Sequence, residues 1–535
     1  MMEVDVISEA CYISAMPVEV LCDIFRTLRD AHQLTEIDDT NGRYPNLYQI
    51  PISHVCRHWR NIALHLPELW TSIVIHRGHK HLERVDAFLQ RSKSLPLDMV
   101  IRWCPRCYEN EDEEDLELEP FIPMHCVMSI LIPHVHRWRS LDVGIDIWRT
   151  MAFLLEMLWP LRAPSLRRLR LVYIPSVLDE DFNVLGDEYN PFVPFGLSGV
   201  PMQLEEVSLE SVYLDWDQCV FADLKSLTYS SSYEWINPTM HHVFYILVKS
   251  PGITTFHLEA ELPDIMDDHI PVVELRLLQD LEIWIPQTML LLQIFLQHLN
   301  MPALRSFSLQ DNPGWSSGEL LDVLMGREIG FDWEDIPSQL LRPSILQTLL
   351  GLRIQCPNPT LPRAQRLAFW GHLQNLRVLV LDNNPLSPDA GLQTALSDLL
   401  ENYPYQGNDG QTSSILLPRL TSLIVMESSS ESMRPFLEGR KNAGVPLKRI
   451  YADFAAVYDH PDILWMLDNL EVVGMVDGFQ EAAKGNVETW LALDAEPIGT
   501  TRFQELLASV ECDMRFSQWN IELPADITAW PTAYR

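Results

Sequence analysis

One hydrophobic pattern, apolar-x-x-apolar-x-apolar, recurs twelve times between residues 135 and 478. It stands at Trp138/Leu141/Val143, Leu166/Leu169/Leu171, Leu204/Val207/Leu209 and Leu224/Leu227/Tyr229. It continues at Ile253/Phe256/Leu258, Leu278/Leu281/Ile283, Leu304/Phe307/Leu309 and Leu349/Leu352/Ile354. The last four are Leu376/Leu379/Leu381, Leu420/Leu423/Val425, Leu447/Ile450/Ala452 and Leu470/Val473/Met475. Successive units begin 20 to 29 residues apart, except for three gaps of 38, 45 and 44 residues. The last two apolar positions alternate as in a strand that turns every second residue to a core. A single unit cannot bury its own apolar face, whereas a stack of them can. Helices are predicted between the strands at 151–161, 241–248, 290–299, 318–324, 365–373 and 390–400. Strand–helix alternation predicts parallel strands in an α/β array. Two further helical segments, 487–493 and 503–510, are read as part of a C-terminal cap over the last open face.

The N-terminus is patterned differently. In residues 14–29, Val20, Leu21, Ile24, Phe25 and Leu28 recur at helical spacing. Ser14 can cap that helix, Pro17 fits its first turn, and Glu19 lies near its positive end. A polar stretch, 35–48, reads as a loop. A second amphipathic helix is predicted over 52–64, with Val55, Cys56, Trp59, Ile62 and Ala63 on one stripe. Leu66-Pro67-Glu68-Leu69-Trp70 closes the segment.

Three spaced motifs, Met16-Pro17-x-Glu19-Val20-Leu21-x-x-Ile24-Phe25, Val55-Cys56-Arg57-x-Trp59-Arg60-x-Ile62-Ala63 and Pro67-x-Leu69-Trp70, resemble the F-box. The version they are most similar to is the fungal one, in which a Ser-Leu-Pro-Leu run follows, here Ser94-Leu95-Pro96-Leu97. Met16 replaces the usual opening Leu, and the loop between the helices is longer than in the short F-box. The resemblance implies docking on the small adaptor of SCF-type cullin ligases, and through it on a cullin. Pro17, Leu21, Ile24, Phe25 and Val55 would belong to the docking surface. Cys56 and Trp59 would pack the helices together and against the adaptor. The repeats in turn resemble degenerate leucine-rich repeats, whose period is about 20–29 residues. Leu379-x-Leu381-x-x-Asn384-x-Leu386 and Phe307-x-Leu309-x-x-Asn312 follow that consensus furthest. The Asn can satisfy turn backbone groups inside a stack.

Composition narrows the function classes. A chain of 535 residues exceeds one ordinary globule, and its 47 % hydrophobic content supports a large core. The net charge of −35 argues against nucleic-acid binding, which needs Lys/Arg clusters. Nine scattered Cys fit a reducing compartment. With no signal-peptide layout and no spanning apolar run, a cytoplasmic or nuclear protein away from membranes is expected.

Three constellations have plainer readings. Gly314-Trp315-Ser316-Ser317-Gly318 fits the nucleophile-elbow pattern G-x-S-x-G, with His372 and His460 as distant bases. Ser316 with Glu319 is equally a capping box, which is the reading adopted. Cys104, Cys107, His125 and Cys126 could be zinc ligands, but the adjacent His–Cys pair diverges, so a loop is expected. Eight carboxylates between Glu109 and Glu119 read as a solvated insertion. Trp216, Tyr233, Trp235, Trp284 and Trp315 flank the strands as candidate contact aromatics.

The expected fold class is α/β: an N-terminal all-α F-box module followed by an irregular leucine-rich-repeat solenoid. The expected division is 1–75 F-box, 76–134 connecting segment with the acidic insertion, 135–478 repeats and 479–535 cap. The chain is expected to be a non-enzymatic subunit with no catalytic residue, cofactor or metal. It would select an unidentified protein target for ubiquitin transfer. The competing expectation is a non-degradative repeat scaffold whose N-terminal hairpin only caps the stack.

Overall fold

The computed structural model describes residues 16–34, 48–76, 82–103, 124–158, 161–174, 203–212, 214–217, 221–231, 237–262, 271–284, 289–309, 318–326, 344–356, 359–382, 388–401, 405–406, 412–413, 415–426, 433–452, 462–476, 487–498, 500, 502 and 512–515. The chain divides into two compact units, Met1–Leu224 and Lys225–Arg535.

The first unit opens with three helices, α1 (Val18–Leu34), α2 (Gln49–His54) and α3 (Arg57–His65), and a 3-10 turn at Pro67–Trp70. Pro17 accepts from the Leu21 amide at 3.2 Å, and Glu19 lies in the first turn of α1. Five parallel strands follow in simple order: β1 (Ser72–His76), β2 (Leu97–Trp103), β3 (Trp138–Ile145), β4 (Arg168–Tyr173) and β5 (Glu206–Glu210). Helices α4 (Leu82–Arg91), α5 (Met124–Leu131) and α6 (Trp148–Leu158) connect the first four.

In the second unit, β6 (Ser226–Ser231), α7 (Met240–Lys249) and β7 (Thr255–Ala260) come first, then β8 (Val273–Glu274), β9 (Asp280–Trp284) and α8 (Met289–Gln297). Next are β10 (Leu299–Asn300), β11 (Ser306–Leu309), α9 (Gly318–Leu324), β12 (Gly351–Gln355), α10 (Arg363–His372), β13 (Val378–Asp382) and α11 (Pro388–Asp398). After the β14 (Tyr405–Gln406) and β15 (Thr412–Ser413) pair come β16 (Ser422–Met426), α12 (Arg434–Asn442), β17 (Arg449–Ala452), α13 (Asp462–Asn469) and β18 (Val472–Val476). The chain then forms α14 (Val487–Ala495) and β19 (Cys512–Arg515). The sheet order is β6-β7-β9-β11-β12-β13-β16-β17-β18-β19, parallel throughout except for β19. The short β8 and β10 pair apart from it.

All twelve repeated units fall on these parallel strands, and their apolar positions stay in register. Leu141, Leu169 and Val207 stand opposite one another in the first unit. Leu227, Phe256, Leu281, Phe307, Leu352, Leu379, Leu423, Ile450 and Val473 do so in the second. Every one of these is buried. At roughly 1.5–3 kcal/mol for each large apolar side chain buried, this ladder is a principal source of stability.

Two features differ from the expected division. Parallel pairing begins at β1 and β2, in residues assigned to the helical module's end and the connecting segment; Ile73 and Met99 extend the Leu141 ladder. The C-terminal region does more than close an edge. β19 pairs with the last parallel strand, but α14 lies across a strand face. There Val487, Trp490 and Leu493 pack on Val378, Val380, Ile424, Tyr451 and Val472. A Cβ at Gly351 would collide with Val487 and Leu491, so the glycine permits this close approach.

Candidate functional site

The sequence-predicted docking residues separate into an inner and an outer set. Leu21 and Phe25 are 0 % and 1 % exposed, so they pack the interior of the module in this chain. Phe25 meets Trp59 edge-on at 5.1 Å, which joins α1 to α3. Trp59 is half-buried. Cys56 is exposed and does not pack the helices together; its sulfur caps α3 by accepting from the Trp59 amide at 3.4 Å. Periodicity marks apolar positions without telling which of them a neighbouring helix covers.

The outer set forms a surface. Pro17 is exposed, Ile24 is 43 % exposed and Val55 is 59 % exposed. Val20 and Leu28, one helical turn to either side of Ile24, are exposed too, and the sequence reading had not separated them from the core set. Exposed aliphatic side chains one turn apart on a helix are the anchors a groove-bearing protein partner takes. Arg26 links α1 to the 3-10 turn through Glu68 at 3.3 Å, and the Trp70 indole donates to the Ala63 carbonyl at 2.8 Å. The outer set is thus presented on a braced support.

The strand faces are the second candidate surface. In the first unit one face is charged. Arg102 holds Asp142 in a two-pronged contact at 3.0 and 2.9 Å, and Arg170 approaches the same carboxylate at 3.6 Å. Arg102 crosses over Gly144, where a Cβ would press on its Cδ at 3.3 Å. Arg168 and Arg170 are largely exposed, beside exposed Glu206 and Glu210. In the second unit α14 occupies part of the face. Its Asp494 binds Arg377, Thr421 and Ser422 at 2.5, 2.9 and 2.6 Å.

At one end of α14, His257 on β7 contacts Asp280 at 2.6 Å and Glu282 at 3.8 Å, both on β9, and feels Glu488 of α14. Burial disfavours its charge, but the hydrogen bond and charge of Asp280, helped by Glu282 and Glu488, hold its pKa above the ordinary histidine value. Glu488 is raised by burial and by Asp280. Both shifts have the same sign for stability. A raised histidine contributes fully below its unfolded value of about 6.5 and loses that contribution as pH rises through the folded value. A raised carboxylate likewise opposes folding as it ionises. The hold on α14 is therefore expected to weaken as pH rises, first as Glu488 ionises above its ordinary value of 4.5 and again above 6.5 as His257 loses its proton. Hydrogen exchange of amides 487–495, corrected for intrinsic pH dependence, checks this; His257→Gln should flatten the profile.

Several of the remaining candidates fall on residues that the structure does not describe. Ser316 and its flanking Gly314 and Trp315 lie outside the described residues, as do His460, Cys104, Cys107, Tyr233, Trp235, Asn312, Asn384 and the acidic run. His372 contacts the Ala368 carbonyl through Nδ1 at 2.8 Å. His125 and Cys126 are adjacent on α5, with Nε2 and Sγ 3.3 Å apart. Among the described residues no three His, Cys, Asp or Glu are grouped to hold a metal ion, and no helix is long and apolar enough to cross a membrane. Trp216 and Trp284 are half-buried.

Comparison with known families matches residues 13–76 to the F-box-like family. Comparison with curated proteins finds no match. The helical region at the N-terminus is therefore an F-box-like domain, and α1 to the 3-10 turn at Pro67–Trp70 lie within it.

Proposed function

We propose that this chain is a substrate-recognition subunit of an SCF-type cullin ubiquitin ligase. Its F-box-like domain docks the adaptor, and its parallel strand arrays, read as degenerate leucine-rich repeats of a fungal-type F-box protein, hold a protein target. The observation that carries the reading is the pairing of the F-box-like match with an uncovered aliphatic stripe on α1. Pro17, Ile24 and Val55 would meet the adaptor, with Leu21, Phe25, Cys56 and Trp59 shaping the surface from beneath or beside it. F-box proteins are generally non-enzymatic adaptors, and none of the chemistry needs a residue of this chain. Tethering raises the concentration of a target lysine near the charged ubiquitin carrier, which other subunits supply. Such a subunit would work in the cytoplasm or nucleus.

The test is co-purification with the adaptor of the full chain and of a version lacking residues 1–75. Retention by the full chain alone supports the reading. Absence of retention by the full chain would instead favour the scaffold reading, in which the hairpin caps the strands.

A further inference from the structure

A pocket of about 330 Å3 lies between the helices of the F-box-like domain and α4, with no residue of α1 among its described lining. Its polar wall carries three arginines, Arg60 from α3 and Arg84 and Arg91 from α4, with the His54 ring of α2 beside them. No Asp or Glu is among its described lining residues, in a chain whose net charge is −35. Arg84 and Arg91 are seven residues apart, so two helical turns place them on one face.

The guanidinium groups are held in place, that of Arg84 by donating through Nη2 to the Val74 carbonyl at 3.4 Å. Arg91 lies over the Trp70 ring with its guanidinium carbon 4.5 Å from the centroid, which holds the cation against the pocket wall. Arg60 donates through Nε to the Ser53 carbonyl at 2.9 Å, which leaves its terminal nitrogens for other acceptors. Trp70 is itself fixed by its bond to Ala63 and by an edge-on contact with Phe88 at 4.9 Å. Burial pushes the Arg84 guanidinium below its ordinary range, and His76 is lowered to about 4 by burial and then by the charges of Arg102 and Arg84. Glu68, two residues before Trp70, is engaged with Arg26.

We propose that this pocket is an anion site for a ligand carrying one or two phosphate groups, held by Arg60, Arg84 and Arg91 with His54 at its side. Arginine forks match phosphate oxygens two at a time, and the positioned Arg60 and Arg91 with the charge of Arg84 beside them select a compact polyanion over a single carboxylate. The volume lies at the small end of ligand pockets, roughly 300–1,000 Å3, which suits a small head group. The acidity of the rest of the chain does not oppose this strongly, because charges beyond about 8 Å are screened at physiological salt.

The experiment is calorimetric titration of the full chain with inorganic pyrophosphate, and separately with a short phosphoserine peptide and its unphosphorylated form, in chloride of matched ionic strength. Saturable binding is expected, weakened at least about tenfold by Arg91→Gln and by Arg60→Gln. An Arg276→Gln control, on the exposed surface of the second unit, should leave it unchanged. Pyrophosphate bound more tightly than the peptide assigns the site to a free phosphate compound; the reverse order assigns it to a phosphorylated protein side chain. Binding of neither probe, or equal binding by the double Arg60→Gln, Arg91→Gln variant with an unchanged thermal transition, overturns the proposal.

Discussion

Asp398→Ala is expected to destabilise the second unit by about 3–5 kcal/mol. Asp398 closes α11, where a carboxylate faces the negative end of the helix and gains nothing from it. What holds it there is Arg366 of α10, which donates through Nε at 2.7 Å and Nη2 at 3.2 Å. The two side chains are only 8 % and 4 % exposed. Removing the acid leaves a guanidinium buried with the Pro359 and Leu361 carbonyls as its remaining hydrogen-bond partners among the described residues. Those dipoles do not cancel a full charge. Arg363, on the same helix, makes an ion pair with Glu401 that is open to solvent, and Arg363→Ala should change stability by no more than about 1 kcal/mol. Urea unfolding of the three full chains, followed by far-ultraviolet circular dichroism, separates the two cases. A loss below about 1 kcal/mol for Asp398→Ala would show that water reaches the pair.

Trp70→Ala is the second large effect, about 3–5 kcal/mol on the first unit. The ring is 1 % exposed and touches elements on both sides of the chain's passage from helices to strands. Its N–H is bonded to Ala63 of α3, its edge meets Phe88 of α4, and Arg91 covers its face. The truncation leaves a cavity where α3, the 3-10 turn and α4 meet, and the surrounding packing can relax only in part to fill it. Trp70→Phe keeps most of the packing and loses the indole donor, for about 0.5–1.5 kcal/mol. Thermal unfolding of both variants distinguishes packing from hydrogen bonding. Equal losses would place the importance of Trp70 in its N–H rather than its volume.

The strand array was legible because each repeated unit is a six-residue phrase whose last two apolar positions alternate. β1 and β2 were harder to read. β1 starts two residues after Trp70, so its Ile73 and Ile75 run on from the helical module, and the acidic stretch after β2 hides the next repeat. The position of α14 had a signal that went unused. β6 alternates, Ser226-Leu227-Thr228-Tyr229, as a strand covered on one face does. β13 and β16 instead read Val378-Leu379-Val380-Leu381 and Leu423-Ile424-Val425, continuous apolar runs of strands covered on both faces. The outward Val378, Val380 and Ile424 required a partner, and α14 is that partner. On α1, the apolar positions Val20, Leu21, Ile24, Phe25 and Leu28 span more than one face. Only the placement of α3 and its Trp59 decides that Leu21 and Phe25 turn inward while Ile24 stays outside. The cationic pocket was half legible, in the seven-residue spacing of Arg84 and Arg91. Arg60 joins them through tertiary structure alone.

The central claim is that the outer face of α1 and the adjoining Val55 bind an adaptor. Calorimetric titration of purified SCF adaptor into the full chain, and into an Ile24→Asp, Val55→Asp variant, tests it most directly. Both side chains are exposed, so the variant should unfold at the same temperature. Two carboxylates in a dry apolar interface should weaken binding at least about a hundredfold, or about 3 kcal/mol. Saturable binding by the unaltered chain and its loss in the variant is the predicted result. Equal binding by the two chains, or none by the unaltered one, would contradict it.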